Sequence, residues 1–365
     1  MLFAKSLVEK SDKMVKPKDA VQKMSPYHPP TSGRGKKLRL DFNENTIGCS
    51  PKVIRALQKI DSNAMSVYPE YEDFKPVLAK HLNISPSELI LSNGTDEGIK
   101  MIIDTFMEGG EEIIIPTPTF AMFKFYASVA EAKITEVLYN EDLSFPTDKV
   151  LAAINPNAKL VVLVNPNNPT GTSIAEEDII AIIKKASENN AIVLSDEAYY
   201  GFYEKSSINL IKKYDNLFVT RTFSKAFGLA GIRLGYTLSQ KDNIAALAKA
   251  GSPYNVSTLA IIAAKAALDD VEFVNKYTQE VRDNTDWFIE ELSKLGLSVF
   301  PTDANFVVVK IGEKCGEVCD TLKEKGILVR NRTRDPLLEG CIRITIGTKE
   351  QCDQVLRELK TILGK

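Results

Sequence analysis

The chain has 365 residues, 44% of them hydrophobic, which is enough apolar material for one large domain and a smaller one. A formal net charge of −2 excludes a general nucleic-acid surface, whose phosphates demand clustered lysine and arginine, and the lack of any run of about 18 apolar residues argues against a membrane span. Five cysteines, an odd count without a compact framework, read as free thiols of a reducing compartment, here expected to be the cytoplasm.

Residues 1–25 are Lys-rich without the apolar core of a secretory signal, and Glu9, Asp12 and Asp19 weaken a transit-peptide reading. They are expected to form an arm, mobile or touching a partner. Pro26-Tyr27-His28-Pro29-Pro30 is conformationally restricted and reads as extended. Leu38 to Asn45 alternates like a strand and ends in amides, 51–60 reads as helix, and Val67-Tyr68-Pro69 interrupts it. Leu89 to Gly98 reads as a strand, a glycine turn and a helix start, where exposed N–H groups and the helix dipole attract anions. Asp96 and Glu97 would repel such an anion, so both side chains are expected to turn outward. That leaves Gly94, Thr95 and the Asp96 N–H to bind it.

Glu112 to Phe120 reads as a buried strand running into a Pro-rich turn, with a helix from Met122. Leu160 to Val164 is a continuous apolar strand suited to a parallel sheet covered on both faces, and Asn168 follows its carboxyl end, where ligands of doubly wound folds sit. Ser173-Ile174-Ala175-Glu176 fits a capping box, and Ile179, Ile180, Ile182 and Ile183 give the next helix its apolar face. Ile192 to Leu194 delivers Asp196 and Tyr199, and Leu217 to Thr220 leads into Thr222-Phe223-Ser224-Lys225. This alternation predicts right-handed βαβ units. A long charged helix over 269–295 opens a smaller unit, whose strands 297–300, 305–310, 326–330 and 341–345 include two carrying an arginine, Arg330 and Arg343. Cys315 and Cys319 lie four apart on an expected helix. With only His28 and His81 in the chain a zinc site has few partners, so the pair reads as packing and no metal is expected.

A lysine directly after a buried strand, among small residues and eight positions before Arg233, has the makings of a nucleophilic amine beside an anion site. An aldehyde cofactor carrying a phosphate needs that arrangement. Read alone, Lys225 is a solvated surface charge and the glycines are a turn. Asn165-Pro166-Asn167-Asn168-Pro169-Thr170-Gly171 and Ser195-Asp196-Glu197-Ala198-Tyr199-Tyr200 weigh against that.

Taken in order from Pro26-Tyr27 to Ile342-Arg343-Ile344-Thr345, these motifs resemble the fold-type I pyridoxal-phosphate (PLP) aminotransferases, and within them the histidinol-phosphate aminotransferase group. The resemblance implies an α/β fold of PLP-transferase type I. A large domain (56–270) holds a mostly parallel mixed sheet between helices, and a smaller α+β domain is formed by 26–55 and 271–365. It implies a homodimer in which Tyr68 crosses to the neighbouring subunit's cofactor phosphate. On this reading Lys225 bonds the aldehyde and shuttles the proton, its pKa lowered by burial and by cations such as Arg233. Asp196 keeps the pyridine nitrogen protonated, Tyr199 and Asn168 serve the 3'-oxygen, and Phe120 stacks on the ring. Gly94, Thr95, Asp96, Ser224 and Arg233, with Thr222 a weaker candidate, form the phosphate cup.

Arg343 is implied as the guanidinium fork for an acidic group of the substrate, Arg330 as a second such arginine, and Tyr27 and Asn43 as further substrate contacts. Arg332 and Arg334 lie close enough to meet a phosphate. Two departures stand out: Thr46-Ile47-Gly48 replaces the family's Pro-Tyr-Gly, and Phe123 stands where a tyrosine is frequent. The implied reaction moves an amino group between histidinol phosphate and 2-oxoglutarate, with a small-molecule amino donor and a 2-oxo acid acceptor as partners. An aromatic amino-acid aminotransferase and a PLP decarboxylase of a phosphorylated amino acid are the alternatives on the same scaffold. A PLP-fold binding or regulatory protein without turnover is the rival from another class.

Overall fold

The computed structural model describes residues 15–26 and 32–365. A seven-stranded sheet organises the larger body, in the order Leu89–Ser92, Gly235–Leu238, Leu217–Thr222, Ile192–Asp196, Ala158–Val164, Glu112–Thr117, Lys133–Leu138. Gly235–Leu238 runs antiparallel to both neighbours and the remaining strands run parallel. Side chains of successive residues leave a strand on opposite faces. Accordingly Leu160, Val162 and Val164 pack into one apolar layer and Val161 and Leu163 into the other. Both faces are dry, which is why these strands read as unbroken apolar runs.

The smaller body has an antiparallel sheet ordered Arg330–Asn331, Cys341–Thr345, Phe306–Lys310, Ser298–Phe300. Its apolar layer, with Tyr277, Phe288, Val307, Val309, Ile342 and Ile344, joins it to the helices Val271–Lys294 and Lys349–Leu363. Thr348 and Gln351 form a reciprocal cap at the start of the last helix, satisfying N–H groups that would otherwise lack partners. Leu38–Arg39 pairs in parallel with Ile327–Leu328, and Leu40 is buried in the same layer.

Several expectations need correction. The helix Pro51–Leu57 lies against Thr258–Leu268 and buries Val53 in the larger body's core, so this part of 26–55 packs with the larger body and not with the smaller domain. Its chemistry explains this, because Val53 is the one apolar side chain of the helix that finds a full pocket. The helix after Asn168 begins only at Glu176, with Ala175 at its cap and no side-chain cap bond; Ser173 is too far out to reach the first N–H groups. The end of the arm packs on its own chain. Asp19–Gln22 forms a short helix against Met122–Val129, and Lys18 donates to the Val129 carbonyl and pairs with Glu131. Among the described residues no helix is long and apolar enough to cross a membrane, and no cluster suited to a metal ion occurs.

One buried ion pair fixes the carboxyl edge of the sheet. Arg221 lies 3.0 Å from Glu197, both almost fully buried, while its guanidinium also bonds Ser206 and stacks 3.4 Å over Tyr200. The pair ties the strand end carrying Asp196 to the strand end leading to Lys225. Arg221→Met would leave Glu197 charged without a cation, so we expect a loss of about 3–5 kcal/mol and a clear fall in melting temperature. An unchanged melting curve would mean that the clamp is not what joins the two strands.

Candidate active site

The residues singled out from sequence converge where the parallel strands end. Thr95, Asp96, Phe120, Asn168, Asp196, Tyr199, Thr222, Ser224, Lys225 and Arg233 line one cavity beside Val164 and Ala198. Ile192–Asp196 delivers Asp196 as its last residue, and Leu217–Thr222 delivers Lys225 three residues beyond its end. The register sets Asp196 directly opposite Thr220, whose hydroxyl donates to the Asp196 carboxylate at 3.0 Å.

Desolvation gives the cavity its electrostatics. Burial, opposed by the Thr220 hydrogen bond, pushes the Asp196 carboxyl up to about 7. The Lys225 amine donates to the Phe42 carbonyl at 2.8 Å, and burial, followed by the Arg343 guanidinium, pulls its pKa down to about 8. Each group resists its charged form because little water remains to solvate it. A ligand that brings an electrophile to Lys225 meets an amine that burial inclines to its uncharged form, and one that brings a cation to Asp196 returns that carboxyl to its charged form.

The anion cradle sits at the start of helix Gly94–Phe106. Gly94 adopts φ +73°, and a Cβ there would stand 2.4 Å from an Arg233 guanidinium nitrogen. A Cβ on Gly235 of the neighbouring strand would stand 2.7 Å from the Gly94 carbonyl carbon and the Thr95 nitrogen. Only glycine lets the arginine, the antiparallel strand and the helix start approach so closely. Ser224 N and the Thr222 hydroxyl bond each other at 3.0 Å, and Arg233 reaches the Ser224 hydroxyl at 3.4 Å.

The outward turn expected of Asp96 is not what the structure has. Asp96 lines the cavity and pairs with Arg233 at 3.2 Å, because a guanidinium lying across Gly94 draws the carboxylate in. Burial nevertheless raises its pKa against the pull of Arg233 and Lys225. Glu97 turns back to accept from Asn93 N at 2.5 Å and from Asn255 at 2.7 Å.

A larger cleft of about 850 Å³ opens from the cavity, lined among others by Phe42, Asn43, Phe120, Asn168, Lys225, Arg330 and Arg343. Arg330 and Arg343 stand opposite each other in the antiparallel register, so their side chains leave on the same face. Arg343 is 5% exposed. It donates to the Asn168 side chain and, at 2.6 Å, to the Asp41 carbonyl. Asn43 is fully buried, and its amide donates to the Tyr199 hydroxyl at 2.8 Å while Thr345 donates to it. Its side chain thus positions Tyr199 from within the wall of the cleft. Tyr68 does not line the cavity of its own chain; it is 73% exposed and stacks on Tyr254 at 4.3 Å. Tyr27 lies outside the described residues.

Sequence reading missed several parts of the site. Arg34 lies 2.6 Å from Asp41 and 3.8 Å over Phe42, holding the segment whose carbonyl receives the Lys225 amine. Thr220 leaves no local signal, since its bond to Asp196 follows from pairing across 24 positions.

The arrangement suits a flat, phosphate-bearing aldehyde with a basic ring nitrogen. It offers an amine of lowered pKa, a carboxyl short of a cation, an anion cradle and an aromatic wall, Phe120, with Val164 and Ala198 as further apolar surface.

The model for aminotransferase class I and II matches residues 35–359. The histidinol-phosphate aminotransferase of Thermoanaerobacter sp. (strain X514) is 38% identical over 335 residues, covering 90% of this chain and 93% of that protein. That of Bacillus subtilis subsp. natto is 34% identical over 360 residues, covering 95% and 99%. Among solved structures, the histidinol-phosphate aminotransferase from Sinorhizobium meliloti in complex with pyridoxal-5'-phosphate superimposes with a TM-score of 0.85 at 27% identity, over 95% of this chain and 99% of that one. These matches, and the α/β architecture they share with it, show that the chain is a member of the class I and II aminotransferase family.

Proposed function

We propose that this protein is a PLP-dependent aminotransferase that converts histidinol phosphate and 2-oxoglutarate to imidazole acetol phosphate and glutamate, as a step of histidine biosynthesis. The observation that carries the reading is the convergence of the Lys225 amine, the Asp196 carboxyl and the Arg233 cradle in one cavity that opens toward Arg330 and Arg343. The choice of substrate leans on the relatives, named for histidinol phosphate at 34–38% identity over nearly their whole length. A rival, the L-threonine-O-3-phosphate decarboxylase from Porphyromonas gingivalis, is 24% identical with a TM-score of 0.79 and shares the fold alone.

Bound PLP supplies an aldehyde and an electron-withdrawing ring that accepts the electron pair released at the substrate carbon. The cradle residues Gly94, Thr95, Ser224 and Arg233, with the Asp96 N–H, would take its phosphate, and Thr222 supports Ser224. The Asp96 carboxylate then has to yield Arg233 to the phosphate. Asp196, opposed by little solvent, would hold the ring-nitrogen proton, and a cation there returns it to the ionised form. Tyr199, oriented by Asn43, and Asn168, oriented by Arg343, would steady the ring oxygen. Near neutral pH the depressed pKa of Lys225 keeps a useful fraction of its amine uncharged, able first to bond the aldehyde and later, once freed, to carry the proton at the substrate carbon. Phe120 excludes water from one side. Arg343 and Arg330 would take the substrate's acidic group.

We infer a homodimer as well. Met65, Val67 and Tyr68 are exposed apolar side chains on one short segment, and Tyr254 stacks beside them, an arrangement that fits a covered surface better than a wet one. On this reading Tyr68 reaches the partner's phosphate, and sedimentation should return the mass of two chains; a single-chain mass at micromolar concentration contradicts it. The five free cysteines fit a reducing compartment, and the proposal places the enzyme in the cytoplasm.

Half-transamination separates the substrates. Histidinol phosphate should discharge the visible cofactor band faster than phenylalanine or tyrosine, and a faster reaction with phenylalanine would reverse the assignment. Lys225→Ala should abolish turnover and the band of the bonded aldehyde together.

Asp196 yields a pH test on the cofactor-free protein. Its folded pKa lies above the ordinary 3.8, at about 7, so the folded chain holds a proton across that window that the unfolded chain has already lost. Its contribution to stability is therefore lost as pH rises from about 4 through about 7. The melting temperature of wild type should fall relative to Asp196→Asn over this range, and parallel curves would show that the carboxyl is not desolvated. The same variant, with cofactor added, should turn over far more slowly than wild type.

A further inference from the structure

The cleft that opens from the Lys225 cavity holds an ion pair that the proposed chemistry does not use. Two carboxylates line this cleft, Glu44, which pairs with Arg34 and Arg39, and Asp335, which stands with Arg330, Arg332, Arg334 and Arg343. The turn that leaves strand Arg330–Asn331 folds back on itself, with Asp335 N donating to the Arg332 carbonyl at 2.9 Å. This brings the Asp335 carboxylate to 2.6 Å from Arg332 Nε. Their side chains are 16% and 31% exposed, so the pair is neither buried in a core nor screened as a surface pair is. Arg343 and Arg330 add their fields to that of Arg332 on the same carboxylate, and burial alone keeps its pKa raised. A carboxylate of the chain itself thus sits where guanidinium groups from two paired strands and their connecting turn converge, and that is where an acidic substrate group is expected.

We propose that Asp335 is an internal stand-in for the substrate's anion, pairing with Arg332 while the cleft is empty and giving way to an acidic group of the substrate. This rests on reading the cleft as the substrate-anion site. The consequence is selectivity. An incoming anion gains from Arg332 only the difference between its own bonds and those that Asp335 gives up. A phosphate-like dianion brings more charge and more acceptor oxygens than one carboxylate, so it wins the exchange, whereas a singly charged carboxylate gains little. Asp335 acts through Arg332 and is a positioning residue that sets specificity.

The test uses the holoenzyme and sulfate, a dianion that does not titrate in the neutral range, with affinity read by calorimetry. Asp335→Asn should bind sulfate about fivefold more tightly, the scale of one partly screened charge pair. In an Arg332→Met background the same change should leave the affinity where it was, whereas simple removal of a negative charge would raise it in both backgrounds. Arg330→Met reports separately on the cleft and should weaken sulfate binding. Retention of the visible cofactor band in each variant shows that it is folded and loaded. If Arg330→Met weakens binding but Asp335→Asn does not strengthen it, or strengthens it equally in both backgrounds, the stand-in is refuted and the cleft reading survives. If Arg330→Met binds sulfate like wild type, the cleft reading fails and the stand-in fails with it.

Discussion

Exclusion of water from the carboxyl edge of the seven-stranded sheet governs Asp196 and Lys225, the two groups to which we assign the chemistry. Asp196 and Lys225 end or follow neighbouring parallel strands, and both lie where solvation is too poor to support charge. Burial is the leading cause in each case, and it moves the acid up and the base down, so that both approach neutrality from opposite sides. Neither shift requires an unusual partner. It requires that the sheet be covered on both faces, which the apolar layers around Val162 and Val161 accomplish, and that the strand ends be held in register, to which the Arg221–Glu197 pair contributes.

The smaller body contributes charge where the larger one contributes desolvation. Phe306 and Val308 share an apolar cluster with Tyr199, so its sheet is docked on the loop after Asp196. That docking carries Arg330 and Arg343 into the cleft and lets Arg343 bond Asn168 directly. The N-terminal stretch completes the wall. Asp41 and Phe42 supply carbonyls to Arg343 and Lys225, and Arg34 secures the stretch from outside. Remote segments of the chain therefore line one cleft around the Lys225 amine.

Much of this was legible before folding, and the reason differs from residue to residue. Strands such as 160–164 and 217–220 announce themselves because a sheet buried on both faces admits almost nothing but apolar residues. Lys225, Asp196 and Asn168 were legible by position, each following a strand at the edge where parallel sheets place ligands. Asp96 defies a like-charge argument because its partner, Arg233, lies 137 positions away in the chain. Nothing near Asn43 in the chain shows that its amide bonds Tyr199, a contact made across 156 positions. Nothing local shows which body helix Pro51–Leu57 joins, because the packing of Val53 and Leu57 decides it.

The sequence by itself determined the layered α/β architecture, the order of the strands along the chain and the kinds of groups available at their ends. These depend on local periodicity and on glycine, proline and apolar runs, and neighbouring residues suffice to express them. Only the tertiary structure decided which charges face one another, that Asp96 turns in and that Arg343 joins Arg330 and Asp335 in one cleft. Electrostatic partnership is a matter of distance in space and of the water excluded between groups, and a linear order records neither.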